Sequence, residues 1–599
     1  MSRLLSRLDK SVPKRFRGFG PRMGFVVTLL AVAGLVLAGR AIDLQMVQHD
    51  RLAALAQRQS QRTIRLDGRR GPIYDRFGDP LAMSVKADSL YAHPNAIEQP
   101  TLAAFRLARL LELDAQTLER RLRSGSAFVW IKRHVTPAES AAAQALGLAG
   151  LGVTQEYARV YPARSFAGPL LGFTGVDTQG LEGLEYAYDS YLKGAEGYKV
   201  IERDALGRTV LTGNDAFPTR GGSVRLTIHP AVQYIVEEEL RRAVELHEAA
   251  LGVALVLASR TGEILAMAHA PDFNPNDYLA FDKETYFNRA VTSGYEPGST
   301  LKVVTAAVAL EEGLVQPDTL FFCENGEWNH YDSVIHDTQP HGWLGLDGII
   351  RVSSNICAAK MGLLVPSGVF HAYLRKFGFG ERLGLFRSAT GDRLAGEAQG
   401  YLPPLEKWTP VDHAALSFGH GILVSPLQLV TAVNAIANEG RRVQPRLVLE
   451  VRDPEGRIVE QNRTPVTRRV LSARTARTVR ELMKAVVSAE GTGPHAAVPG
   501  YVVAGKTGTT EVYDIEARGY SKTKHIASFV GFVPADDPAV TILVMVERPR
   551  KGRYGGVVAA PVFSRIARRA LPLLGLWPPE GVRRAGVELA QQARPGRAD

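Results

Sequence analysis

Between Met23 and Gly39 the chain carries no charged side chain and is built chiefly from Val, Leu and Ala. Such a run is at the short end of what crosses a bilayer as one helix, with Arg40 placed to snorkel at the far side. It divides the chain into what comes before and what comes after. Before it stand Arg3, Arg7, Lys10, Lys14, Arg15, Arg17 and Arg22 against Asp9 alone. Basic flanks stay cytoplasmic, so residues 1–22 are expected as a cytoplasmic tail and residues 23–44 as a transmembrane helix. The rest is then an extracytoplasmic body. A cleaved signal peptide is the competing reading, but the basic region is long and Leu37-Ala38-Gly39 makes a mediocre cleavage site. An uncleaved, single-pass anchor fits better, since no later stretch is apolar enough to return.

At 599 residues, 45% hydrophobic and 22% charged, the chain has material for several folded domains. The formal charge of +11 does not describe a nucleic-acid-binding surface. Much of the excess gathers just ahead of the apolar run, whereas a nucleic-acid binder spreads basic residues over a surface with aromatics between them. The sequence has no Cys-x-x-Cys, His-Glu-x-x-His or Gly-rich phosphate loop, so neither a metal nor a cofactor is expected. Cys323 and Cys357 are the two cysteines. They could pair in an oxidising compartment, but one bond is too little to hold a body of this size. Cys357 reads as a small buried hydrophobe.

Gln45 to Arg65 is polar with a helical period and reads as a stalk. Ile73-Tyr74, the Asp75–Gly78 turn and Leu81-Ala82 read as a hairpin, followed by amphipathic helices over Leu102–Leu113 and Pro137–Leu148. Carboxylates in residues 45–220 are scattered and are expected on solvated faces, so this region reads as a positioning or partner-binding module. A helix from Pro230 to about His247 follows, with Val232, Ile235, Val236, Leu240, Ala243 and Val244 on one face. Strands are expected at Val253–Ala258, Ile264–Ala268, Val502–Ala504, Ala527–Phe532 and Val540–Val546, with a final helix over Ala559–Ala570. Hairpin-linked strands with helices at both ends of the sequence imply an antiparallel sheet covered by helices, an α+β body.

The chemistry concentrates in three short motifs. In Glu296-Pro297-Gly298-Ser299-Thr300-Leu301-Lys302, the proline and glycine break what precedes, and an apolar helix is expected from Ser299 or just before. Ser299 and Lys302 then share a face. A serine becomes a nucleophile when a neighbour takes its proton, which a lysine does once burial or a second cation destabilises its charge. Alone the motif is weak, because a serine before an apolar helix is usually just a helix cap. Ser353-Ser354-Asn355 and Lys506-Thr507-Gly508 are each common too. In this order the three match the serine penicillin-recognising acyltransferases.

On these residues the chain resembles the class B high-molecular-weight penicillin-binding proteins, which are peptidoglycan D,D-transpeptidases. Arg70-Gly71-Pro72-Ile73-Tyr74-Asp75-Arg76 and Gly180-Leu181-Glu182 look like that family's pedestal. Gly419-His420-Gly421, Ser425-Pro426-Leu427-Gln428 and Gly555-Gly556-Val557 look like its transpeptidase domain. His229 stands where relatives often carry Asp. The resemblance implies a pedestal over 45–220, a serine β-lactamase-like transpeptidase domain over 221–570 and a tail over 571–599. It also implies roles. Ser299 attacks the penultimate D-Ala of a stem pentapeptide, and Lys302 takes the proton while Lys506 keeps Lys302 neutral. Ser353 relays the proton to the leaving amine, and Asn355 holds Lys302 and the substrate. Lys506, Thr507 and Thr509 bind the terminal carboxylate beside Gly508, and the N–H groups of Ser299 and Thr509 form the oxyanion hole. His420 is expected to be structural.

The implied partners are D-Ala-D-Ala stem peptides, β-lactams and a polytopic membrane glycosyltransferase with other division proteins, with no nucleic acid. The short tail and the lack of C-terminal repeats look most like the cell-division member, with a lateral-wall enzyme as the alternative. A non-catalytic β-lactam sensor or scaffold fits the intact motifs less well.

Overall fold

The computed structural model describes residues 20–53, 61–66, 68–203, 209–212, 218–385, 396–462, 465–514 and 519–578. The expected tail before residue 20, part of the stalk and the end of the chain after residue 578 lie outside the described residues. The chain divides into two compact units, Met1–Asp67 with Glu196–Pro218, and Gly68–Ala195 with Thr219–Asp599.

In the first unit a helix spans Gly20–Ile42 and runs into a π-helical turn over Asp43–Val47. Met23–Val47, 25 residues, is long and apolar enough to cross a membrane. Gln61–Leu66 is a strand, not the end of a helical stalk. It pairs antiparallel with Gly197–Arg203, Gln61 opposite Glu202 and Leu66 opposite Gly197, and Thr209–Thr212 joins the far side. The partner strand lies more than a hundred residues away in sequence, and this pairing overrides the local helical period.

In the second unit we number the elements that frame the site. The central sheet holds β1 (Leu251–Ala258), β2 (Ile264–Ala270), β3 (Ala504–Asp514), β4 (Gly519–Val533) and β5 (Val540–Glu547). Its order is β2-β1-β5-β4-β3, antiparallel throughout. Around it lie α1 (Pro230–Leu246), α2 (Lys302–Glu311), α3 (Asn355–Leu363), α4 (Pro426–Ala437) and α5 (Ala560–Leu573). Alternate residues of β1 serve opposite faces. Ala254 and Val256 pack with Val232, Leu240 and Phe563 of α1 and α5, while Val253, Leu255 and Leu257 pack with Val430 and Val433 of α4. β3 starts at Ala504, so Val502 and Val503, expected in a strand, precede it.

A second sheet begins from the expected hairpin. Ile73 lies opposite Ala82, and Ile73-Tyr74 pairs on its other side, in parallel, with Ser223–Leu226, which in turn pairs with Val448–Arg452. Beside it, the carboxylates of this region are not all on solvated faces. Glu185 is fully buried between two arginines, accepting from Arg70 Nε at 2.6 Å and Arg159 Nε at 2.6 Å. Arg70 also donates to Asp189 and to the Thr178 carbonyl. An acid can be interior where paired cations and hydrogen bonds replace its water, and no local pattern in the sequence announces such partners.

Candidate active site

Gly298 has φ +53°, and a Cβ there would stand 2.3 Å from Thr510 Oγ1. Glycine therefore lets the turn before α2 press against β3. Gly298–Leu301 is one 3₁₀ turn and α2 proper starts at Lys302, later than the sequence suggests. Ser299 sits half-buried in that turn, and the hydroxyl of Thr300 beside it donates to the Pro297 carbonyl at 2.7 Å. The Gly298 N–H donates to the Gly419 carbonyl at 3.0 Å, so the Gly419-His420-Gly421 turn backs the same segment.

Lys302 is fully buried. Its ammonium donates to the Ser353 carbonyl at 2.5 Å, Ser353 Oγ at 3.2 Å and Asn355 Oδ1 at 2.7 Å. Among the described residues Ser299 Oγ makes no hydrogen bond to Lys302, whose donors go to Ser353 and Asn355. Lys506, also fully buried, donates to the same Ser353 hydroxyl at 2.9 Å. Ser353 Oγ is thus shared by two lysines. Burial draws Lys302 down to about 7, against a smaller opposing pull from Asp337. Lys506 is lowered as well, by burial first and then by the charge of Lys302. Burial, more than a second cation, destabilises the Lys302 charge.

Lys506, Thr507, Gly508 and Thr509 follow one another inside the edge strand β3, opposite Val530, Phe529, Ser528 and Ala527 of β4. Thr507 Oγ1 is 2.8 Å from Thr492 Oγ1, and Thr509 Oγ1 accepts from the Gly555 N–H at 3.1 Å. A Cβ on Gly508 would lie 2.4 Å from Ser528 Oγ and 2.9 Å from Thr300 Cγ2. That glycine is needed on the inner side, where β3 meets the Ser299 turn. The turn that carries Ser299, the buried lysine pair and the hydrogen-bonding groups of an edge strand together make up one site. Such a site can transfer the acyl group of an extended peptide.

His420 packs between Phe418 and Tyr520, its ring centroid 5.2 Å and 5.6 Å from theirs. Cys357 is buried as expected, but it is bonded to Cys323, with their Cα atoms 5.1 Å apart. Sequence reasoning left that pairing open and treated Cys357 as a hydrophobe. Two further neighbours were missed. Glu296 accepts from the Gly421 N–H and the Tyr520 hydroxyl, each at 2.9 Å, and Asp337 meets the start of α3. Glu296 adjoins the Pro-Gly break in sequence and could have been found there. Asp337 has no local signal. Among the described residues no group of His, Cys, Asp and Glu gathers as a metal site.

Residues 252–568 match the penicillin binding protein transpeptidase domain, and residues 65–226 match the penicillin-binding protein dimerisation domain. The chain is 34% identical over 574 residues to the probable peptidoglycan D,D-transpeptidase PenA of Neisseria meningitidis, covering 95% of each. It is 32% identical over 559 residues to the peptidoglycan D,D-transpeptidase FtsI of Escherichia coli, covering 92% of this chain and 91% of that one. Among solved structures it resembles penicillin binding protein 3 of Mycobacterium tuberculosis complexed with aztreonam. The TM-score is 0.67 at 28% identity, over 86% of this chain and 99% of that one.

Proposed function

The chain belongs to the class B penicillin-binding proteins, peptidoglycan D,D-transpeptidases that bind β-lactams, and from that premise we propose that Ser299 is its acylated nucleophile. The observation that carries this is the Ser353 hydroxyl held by two buried lysines next to the Ser299 turn. Lys302, its charge disfavoured by burial, takes the Ser299 proton as Oγ adds to the carbonyl carbon of the penultimate D-Ala. The N–H groups of Ser299 and Thr509 receive the developing oxyanion. Collapse breaks the peptide C–N bond. The proton passes from Lys302 through Ser353 to the departing nitrogen, and the terminal D-Ala leaves. Lys506, Thr507 and Thr509 hold its carboxylate, and Asn355 steadies Lys302 and the donor peptide. An amine of a second stem peptide then attacks the ester carbonyl, forms the cross-link and returns the hydroxyl to Ser299. A β-lactam follows the first half and stays on Ser299.

Fluorescent-penicillin labelling of the protein beside Ser299→Ala tests the assignment. Labelling is expected in the wild type and absent from the variant, and a variant that still labels places the nucleophile elsewhere.

The chain works, in this reading, in septal wall synthesis. It is held by residues 23–44 with its N-terminus in the cytoplasm, beside a polytopic glycosyltransferase that supplies the glycan. Similarity over more than nine-tenths of its length to the FtsI and PenA transpeptidases supports this. A lateral-wall role is the alternative. A fluorescent fusion is expected to gather at midcell, and depletion to give filaments. Uniform side-wall signal with rounded cells would favour the alternative.

A further inference from the structure

The segment from Phe321 to Leu344 contributes no residue to the three motifs, yet it grips them. Its ends pair as strands, Phe321 opposite Leu344, and between them Glu327–His330 and Ser333–His336 form a hairpin. Lys360 of α3 donates to the Phe322 carbonyl at 2.8 Å, and the Cys323–Cys357 bond fastens the segment to the same helix. Asp337 follows the hairpin directly, its own N–H given to the Gly326 carbonyl at 3.0 Å.

The Asp337 carboxylate meets α3 end on. Oδ1 accepts from the N–H groups of Asn355 at 2.5 Å and Ile356 at 3.1 Å, and Oδ2 accepts from the Ser354 hydroxyl at 2.5 Å. The next N–H, of Cys357, donates to Ser354 Oγ at 3.1 Å. The open donors of this helix start are thereby satisfied, and a negative charge sits where the helix dipole favours one. Next to Asp337, the His336 carbonyl accepts from Asn355 Nδ2 at 2.8 Å, which leaves Oδ1 to meet Lys302. The segment therefore sets which end of the Asn355 amide faces the lysine. Ser353 has φ +64°, a left-handed conformation that a residue with a side chain holds only where its surroundings impose it. It is held there from both sides, its carbonyl by Lys302 and its successors by Asp337.

We propose that Asp337 is a positioning residue for acyl transfer, locking Ser353 and Asn355 against Lys302 and placing a negative charge near the Lys302 ammonium. The proposal rests on Lys302 being the base. Among the described residues the titratable groups that interact with Lys302 are Lys506, which shares Ser353 Oγ, Asp337 at the start of α3, and His420, which faces Glu296 and Glu511 in turn. Of these, Asp337 favours the ammonium and opposes the larger effect of burial.

The test is the rate constant of acylation by fluorescent penicillin, measured against pH on the full chain in detergent. Wild type, Asp337→Asn, Ser354→Ala and Lys302→Ala are compared. Asp337→Asn should lower the plateau by about 10- to 100-fold, as lost support behind a reacting group does. It should also move the acid limb to lower pH, because the ammonium loses its anionic neighbour. Ser354→Ala keeps the charge and should lower the plateau with the limb in place. An unchanged rate in Asp337→Asn overturns the proposal. A lowered plateau with an unmoved limb also overturns it, since Asp337 would then be a helix cap and nothing more. If Asp337→Asn does not fold, Ser354→Ala decides, and a wild-type rate there is against the proposal. Lys302→Ala keeps two failures apart. Acylation that survives it sinks the assignment of the base, whatever the Asp337 variant does.

Discussion

A lysine in water is charged throughout the physiological range, and its surroundings decide whether Lys302 can act as a base. Fully buried, and among the described residues without a carboxylate in hydrogen-bonding contact, it is drawn down to about 7. The direction fixes the pH dependence. Above about 7 the amine is neutral and can accept the Ser299 proton. Below that it is already protonated, and acylation should fall about tenfold for each pH unit. Penicillin acylation rates of the wild-type protein are therefore expected to rise along an acid limb centred near 7 and then level off. A rate flat across that interval would remove Lys302 as the base. At this scale the sequence was informative where chemistry is local. Ser299 with Lys302, Ser353 with Asn355, and Lys506 with Thr507 are each fixed by spacing. It was silent on Asp337 and on Glu185, whose partners are 17 or more residues away in the chain. No spacing rule connects an acid to partners met only after folding.

The edge strand β3 and the turn before α2 meet closely enough that one methyl group matters. Gly508→Ala would add a Cβ 2.4 Å from Ser528 Oγ and 2.9 Å from Thr300 Cγ2. The serine hydroxyl can rotate away, but Thr300 is buried and tied by its own hydroxyl to the Pro297 carbonyl. The strand must then move off the turn, separating Lys506 from Ser353. Overpacking of this kind costs typically 1–3 kcal/mol. The expected outcome is a folded protein, its melting temperature lowered by a few degrees, in which acylation falls far more than stability does. Equal losses in both would mean that the glycine serves packing alone. The elements themselves were partly legible. α1, β1, β2 and β5 followed their apolar periods. β3 was placed too early because Val502-Val503 look more strand-like than Lys506-Thr507-Gly508-Thr509. The Lys506 and Thr507 side chains are buried in polar contacts with Ser353 and Thr492, so hydrophobic pattern misplaces the strand.

At the scale of the whole molecule the sequence speaks most plainly through charge. Seven basic residues and one acid precede an apolar helix whose 25-residue span is long enough to cross a membrane. A cytoplasmic body would require that basic segment to cross the bilayer, against the usual retention of lysine and arginine on the inner side, so the prediction is an extracytoplasmic body. The orientation can be tested cleanly, because Cys323 and Cys357 are bonded to each other and no free thiol competes. A cysteine introduced at Ser2 should escape a membrane-impermeant maleimide applied from the extracytoplasmic side until detergent is added. One introduced at the exposed Asp332, in the hairpin tip beyond the anchor, should react at once. The disulfide adds a second readout of the same orientation. It persists in an oxidising compartment and is reduced in the cytoplasm, so Cys323 and Cys357 should resist thiol reagents in freshly isolated, unreduced protein. Immediate reaction at Ser2→Cys together with free native thiols would put the body, and with it the Ser299 turn, on the wrong side of the membrane for building a wall.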